Sequence, residues 1–196
     1  MSGQKSAVTK GRILASATEL FYKNGFEATT FTQIAKKSGV TQPAIYSYFA
    51  DKMDILVNVI AHSAEQGRLL IDNKVSERDS ALHRLKNYLE ANLEFFSSEK
   101  ADAHSIMAAF YFGISDQKVG LMYQQLRERT IERLEVLILQ GIREGAFKLA
   151  NPRLAAQAVY SNLVGACYEA IYLPKELKLR DLKNRTWKTT EKCLND

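Results

Sequence analysis

Between Gly39 and Phe49 the chain reads GVTQPAIYSYF. Within it Gln42, Pro43, Tyr46 and Ser47 recur at the i, i+1, i+4, i+5 spacing of one helix face, opposite Ile45 and Phe49. A glutamine amide pairs one donor with one acceptor, which matches the N6/N7 edge of adenine. Proline and a tyrosine ring offer apolar surface to the methyl of thymine. Tyrosine hydroxyls and the Thr41 hydroxyl can hold phosphate oxygens, and helix N-termini favour anions. No carboxylate interrupts the stretch. This is chemistry for touching the edges of bases in a major groove.

Other chemistries find less support. The three histidines, His62, His83 and His104, are dispersed. His62-x-x-Glu65 places two ligand types on one helical face, which His104 could join, but a solvated ion pair is the better reading and no metal is expected. Ser38-Gly39 and Ser2-Gly3 form no nucleophile elbow, and there is no glycine-rich phosphate loop. No catalytic residue and no cofactor are therefore assigned, and the chain is not expected to be an enzyme. Cys167 and Cys193 lack metal or redox spacing, which suits a reduced, cytoplasmic protein. The N-terminus lacks an apolar signal-type core, and no run of about 18 apolar residues occurs. The expectation is a soluble, unexported protein with no membrane partner.

The elements that must position these residues read as all-α. The 196 residues are 46% hydrophobic and 25% charged, with three prolines and ten glycines. Thr9 is expected to cap a first helix with Ile13, Leu14, Ala17, Leu20 and Phe21 inward and Gly25 as its stop. Thr30 and Gln33 form a capping box for a second helix that ends at Gly39, and Thr41 caps the third. Asp51 caps a fourth, Lys52 to about Asp72. Further helices are expected from Ser76 as cap to Phe96, from Ala103 to Ile114, and from Gln117 to Glu144 with Gly145 as stop. Two more follow, from Pro152 to Tyr172 before a Leu173-Pro174 break, and within Leu179 to Leu194.

Ala35, Gly39 and Ile45 meet the needs of a helix-turn-helix. These are a small residue at the helix crossing, a glycine for the tight turn and a branched apolar plug. An ordinary αα-hairpin shares part of that pattern. Charge favours the first reading. Residues 1–52 hold seven Lys/Arg against three Asp/Glu, whereas 53–174 hold thirteen against fifteen. That basic front could also be a chance fluctuation.

The stretch GFEATTFTQIAKKSGVTQPAIYSYFADKMDIL, residues 25–56, resembles the DNA-binding domain of the TetR/AcrR family of bacterial transcriptional regulators. The matching elements are Gly25-Phe26, Thr29-Thr30, Ile34-Ala35, Gly39-Val40, Ile45-Tyr46, Phe49 and Lys52. Downstream, GIREGAFKLANPRLAA (141–156) is similar to the signature preceding that family's dimerisation helix. The resemblance implies an N-terminal three-helix DNA-binding domain at 1–52 and a helical bundle for ligand binding and dimerisation at 53–196. Thr41, Gln42, Pro43, Ala44, Tyr46 and Ser47 would read bases, while Thr30, Tyr48 and Lys52 would hold phosphates. Thr32 and Gln42 stand where the family usually has basic residues, so Lys5, Lys10, Arg12, Lys36 and Lys37 become further phosphate candidates.

A two-fold operator needs two readers. The 152–172 helix shows Ala155, Ala158, Val159, Asn162, Leu163, Ala166 and Ala170 along one side, a face suited to close packing against a second copy or within one chain. By the family's four-helix arrangement, Leu182 and Trp187 of the last helix would join that homodimer interface. The resemblance also implies an effector cavity, with Asn92, Met107, Phe110, Tyr111, Tyr123 and Tyr168 as candidates for an apolar or aromatic small molecule. The functional expectation is a ligand-responsive, dimeric repressor of a palindromic double-stranded DNA operator. The alternatives are a helical adaptor that docks protein through its helix-turn-helix, and a small helical enzyme.

Overall fold

The computed structural model describes residues 2–98, 101–148, 151–172 and 178–195, with the side chains of residues 2, 3, 101 and 110 excepted. Among them are nine helices: α1 (Ser2–Asn24), α2 (Phe31–Ser38), α3 (Gln42–Tyr46), α4 (Lys52–Asp72), α5 (Ala81–Ser97), α6 (Ala101–Phe112), α7 (Gln117–Arg143), α8 (Pro152–Tyr172) and α9 (Leu179–Cys193). The expected Leu173-Pro174 break lies outside the described residues. Among the described residues no helix is long and apolar enough to cross a membrane.

Two compact units result. The first comprises Met1–Gln66 and Ala101–Tyr123, so it contains the 1–52 segment together with most of α4, α6 and the start of α7. Its core is Ile13, Ala17, Ile34, Ile45, Phe49, Ile55, Leu56, Val59 and Ile60, each buried. The second comprises Gly67–Lys100 and Gln124–Asp196. There Leu85, Leu89 and Leu93 of α5 share one core with Ile131, Leu134 and Ile138 of α7, Val159 and Leu163 of α8, and Leu182 of α9.

Local signals set most helix ends. Gly25, Gly39 and Gly145 all have φ between 66° and 83°, and each stands where the chain must leave a helix through the left-handed region. Asp51 Oδ1 accepts from Asp54 N–H at 2.7 Å and so caps α4 as expected.

Two starts differ from expectation. α1 begins at Ser2, because Thr9 lies inside it with its hydroxyl donated to the Lys5 carbonyl one turn back. α5 begins after Ser80, whose side chain accepts from His83 N–H, while Ser76 serves a turn by accepting from Arg78 N–H. The choice between these serines is tertiary. Ala81 N–H, an unpaired first-turn donor, reaches the Glu144 carboxylate at 2.8 Å. α6 lies two residues earlier than the 103–114 span, and α7 stops one residue short of Glu144.

Candidate nucleic-acid interface

The helix-turn-helix is built on backbone constraints at one glycine. Gly39 sits at φ 66°, ψ 35°, and its N–H returns to the Ala35 carbonyl as α2 ends. Val40 N–H reaches the same carbonyl at 3.1 Å. A β-carbon at 39 would be strained in that conformation, whereas glycine is not. α2 starts with a complete capping box. Gln33 N–H donates to Thr30 Oγ1 at 3.3 Å, and Thr30 N–H donates to Gln33 Oε1 at 2.8 Å.

α3 is five residues long, too short to be stable on its own. Three features hold it. Thr41 Oγ1 accepts from Ala44 N–H at 3.3 Å, Pro43 presets the first turn, and Ile45 is fully buried beside Phe49. Gln42, Pro43, Tyr46 and Ser47 are exposed on the other side, with the Tyr46 ring about half accessible (53%). Thr41 is exposed too, and Ala44 and Tyr48 are half-buried.

Two residues of α2 support this face. The Phe31 ring stacks under Tyr46, with centroids 4.7 Å apart and planes 11° from parallel. Thr32 Oγ1 donates to Gln42 Oε1 at 3.1 Å. The two neutral residues that stand where basic ones were expected are thus hydrogen-bonded to each other. The sequence singled out Thr32 only as a departure, and Phe31 not at all. Its aromatic type three residues before a buried Ile is the one signal it offered.

Lys52 is engaged within its own chain. Its ammonium donates to the carbonyls of Phe26 (3.0 Å) and Glu27 (3.1 Å), lies 3.8 Å from the Glu27 carboxylate and sits 4.5 Å above the Phe26 ring. It is a staple for the α1–α2 turn, with two hydrogen bonds to its own chain and the side chain 24% accessible. Lys10 lies over the Phe49 ring at 5.5 Å, and Lys37 pairs with Glu19 at 2.8 Å. Lys5, Arg12 and Lys36 are exposed.

The stripe of α8 expected to face a second copy packs within its own chain. Ala155, Val159, Leu163, Ala166 and Ala170 are buried within their own chain, and Leu182 belongs to the same core. Asn162 donates to the Thr186 carbonyl at 3.1 Å and to Thr190 Oγ1 at 3.0 Å, sealing α8 to α9. Trp187 packs on that core under Lys86. The exposed stripe of α8 is instead Leu154, Ala158, Ser161, Gly165, Tyr168 and Tyr172. Their 4-3-4-3-4 spacing keeps them in one row.

The effector candidates divide. Asn92 and Tyr168 belong to the second unit, and Met107, Phe110, Tyr111 and Tyr123 to the first. Asn92 is buried and donates to the Tyr88 carbonyl at 2.8 Å. Tyr168 points outward on the α8 stripe beside Tyr172, and Tyr111 is exposed against Phe112. Aromatic type at helical spacing did not distinguish inward from outward positions for these two tyrosines. Met107 and Tyr123 are half-buried. The side chain of Phe110 lies outside the described residues. The His104 ring lies against Tyr22, tilted by 55° with centroids 4.6 Å apart. Among the described residues no three His, Cys, Asp or Glu side chains gather as a metal site.

Comparison with known proteins places this geometry. Residues 13–59 match the family model for bacterial regulatory proteins, tetR family. The HTH-type transcriptional repressor BepR of Brucella suis biovar 1 (strain 1330) is 32% identical over 97 residues, 49% of this chain and 46% of that repressor. The match thus spans about half the length of that relative. A TetR transcription regulator from Haloarcula marismortui ATCC 43049 superposes with a TM-score of 0.80 at 17% identity, covering 96% of this chain and 97% of the other. A protein from Saccharomonospora viridis, described as a transcriptional regulator and solved with choline, gives 0.81 at 17% identity over 94% and 96%. At such identities these two structures show a shared fold. The relatives are DNA-binding regulators of transcription. Over residues 13–59 the chain is thus similar to bacterial regulatory proteins of the tetR family.

Proposed function

We propose that this protein is a homodimeric, sequence-specific repressor that binds a two-fold DNA operator and releases it when a small apolar or aromatic molecule binds. The observation that carries the reading is the exposed row Gln42, Pro43, Tyr46 and Ser47 standing over buried Ile45 and Phe49. The outer face of this capped, uncharged helix adds nothing to its own core, which Ile45 already serves from the other side. It fits a groove whose walls are phosphate and whose floor is base edges. Thr41 and Tyr48 hold phosphates, with Lys36, Arg12 and Lys5 at the rim; Thr30 joins them by exchanging its Gln33 partner.

Dimerisation uses the outer stripe of α8. A β-carbon on Gly165 would meet nothing within its own chain, so packing there does not require glycine. A mid-helix glycine costs about 1 kcal/mol relative to alanine. Ala158, Ser161 and Gly165 together admit a second helix closely, flanked by Leu154, Tyr168 and Tyr172. Repression is the reading that needs no further surface, and the name of the Brucella relative agrees with it. For the effector, Met107 and Tyr123 are the retained candidates, and the choline complex of a relative in fold supports a ligand-responsive body. α4 supplies residues to both compact units, which suits it to carry the response. A ligand acts only through tighter binding to the state that releases DNA.

The test is selection of bound duplex from a random pool by the full chain, with footprinting upstream of its own gene. A palindrome is expected, and Gln42→Ala relaxes one base pair in each half-site by about 1–3 kcal/mol. A protein-docking adaptor would recover no sequence and show no salt-dependent affinity.

A further inference from the structure

We infer that base discrimination by this protein is set partly by two residues that touch no base: Thr32 and Phe31 at the start of α2 are positioning residues for Gln42 and Tyr46. The inference rests on the proposed DNA-reading role of α3 and goes beyond it.

Gln42 is exposed. A solvated glutamine ordinarily samples several rotamers, and its amide can present either oxygen or nitrogen outward. The Thr32 hydroxyl restricts that freedom by donating to Gln42 Oε1 at 3.1 Å. Threonine suits the task because branching at its β-carbon limits χ1 and so fixes where its hydroxyl oxygen sits. With Oε1 turned to Thr32, the Nε2 amine faces outward as a pair of donors. Donors pair with N7 and O6 of guanine, N7 of adenine or O4 of thymine. The N4 amine of cytosine offers only a further donor. Oε1 keeps one lone pair, so adenine can still be read through both of its edge groups. The hydrogen bond therefore favours acceptor-bearing edges, and cytosine, whose only offering is a donor that must compete for the one remaining lone pair, is the least favoured base on the contacted strand.

Phe31 does the equivalent for Tyr46. The parallel stack at 4.7 Å holds the ring against one face, leaving its other face and its hydroxyl for the groove. Both readers are ordered before DNA arrives, which lowers the entropy lost on binding.

The experiment measures affinities of the full-length protein for the duplex that the wild-type chain selects from a random pool, and for its single-base-pair variants. Thr32→Val keeps shape and removes the hydroxyl. It is expected to lower discrimination about three- to tenfold at the base pair relaxed by Gln42→Ala, with cytosine gaining most. Affinity for unrelated duplex and the melting temperature should not move. Thr32→Ser, which restores the donor, is expected to recover the wild-type profile. Phe31→Leu should relax the separate base pair that Tyr46→Ala relaxes. A Thr32→Val profile identical to wild type, or a loss spread evenly over all positions, would overturn the inference. If the wild-type chain selects no sequence at all, the DNA-reading role itself fails, a result distinct from a selective wild type paired with an unaltered variant.

Discussion

Replacing Lys52 by methionine separates two roles that the same residue could play. The substitution keeps an unbranched aliphatic side chain and deletes the ammonium. In the structure that ammonium makes two short hydrogen bonds to carbonyls, at 3.0 and 3.1 Å, and a ring contact at 4.5 Å. A hydrogen bond from a charged donor contributes about 1.5–3 kcal/mol when well shielded. Here the Lys52 side chain is 24% accessible, and water can reach the vacated carbonyls, so about 1 kcal/mol each is the fitting scale. The ring contact adds roughly 0.5 kcal/mol. Lys52→Met should therefore destabilise the fold by about 2–3 kcal/mol, which for a chain of this length lowers the melting temperature by roughly 4–12 °C.

The DNA side of the same experiment is independent. A lysine that neutralises one phosphate contributes about 0.9 to the slope of log affinity against log salt. Because Lys52 faces its own turn, the variant should bind operator at low temperature with an unchanged slope. Thermal melts followed by circular dichroism and a salt series of operator binding read the two quantities separately. A variant with unaltered melting and a slope shallower by about 0.9 would show that Lys52 holds phosphate, and would refute this account of the staple.

Gly165→Arg on the outer face of α8 should convert the protein to monomers in sedimentation analysis at micromolar concentration without loss of helicity; a persisting dimer would exclude that face. Burial pushes the Cys167 thiol well up from its ordinary range, so the native state stays protonated while the unfolded thiol ionises near pH 8.5. The stability this contributes is complete below that pH and declines above it by about 1.4 kcal/mol per unit. Denaturant titrations of Cys167→Ala should show a flatter decline than wild type between pH 9 and 10.

What the sequence revealed about this fold is what local chemistry decides. The Thr30–Gln33 box, the left-handed glycines at 25, 39 and 145, and Pro152 at the head of α8 are all encoded within a few residues of where they act. The misplaced features depend on partners distant in sequence. Ser76 and Ser80 are equivalent caps until Glu144 reaches the Ala81 N–H. Lys52 looks like any lysine before a helix until the turn after α1 folds back onto it. The α8 stripe was the subtler case, since small residues line both sides of that helix. Asn162 decides which side turns inward, through two bonds to a helix more than twenty residues away.

The charge distribution ties the proposed reading role of α3 to the proposed dimer. Gln42 and Thr32 are neutral, Lys52 is turned inward, and Lys37 already has Glu19 as a surface partner. A single subunit thus offers duplex DNA a rim of exposed cations that includes Lys5, Arg12 and Lys36, around an uncharged five-residue helix. Nonspecific affinity scales with phosphates neutralised, so one such head alone is a weak ligand at physiological salt. Useful occupancy must then come from joining two heads. The second half-site binds at high effective concentration only if the subunits hold a fixed spacing. Consequently Gly165→Arg, which leaves every proposed base contact intact, should lower operator affinity more than Gln42→Ala does. The reverse order would mean that one head binds adequately alone, and that two-fold symmetry is not what makes this protein selective.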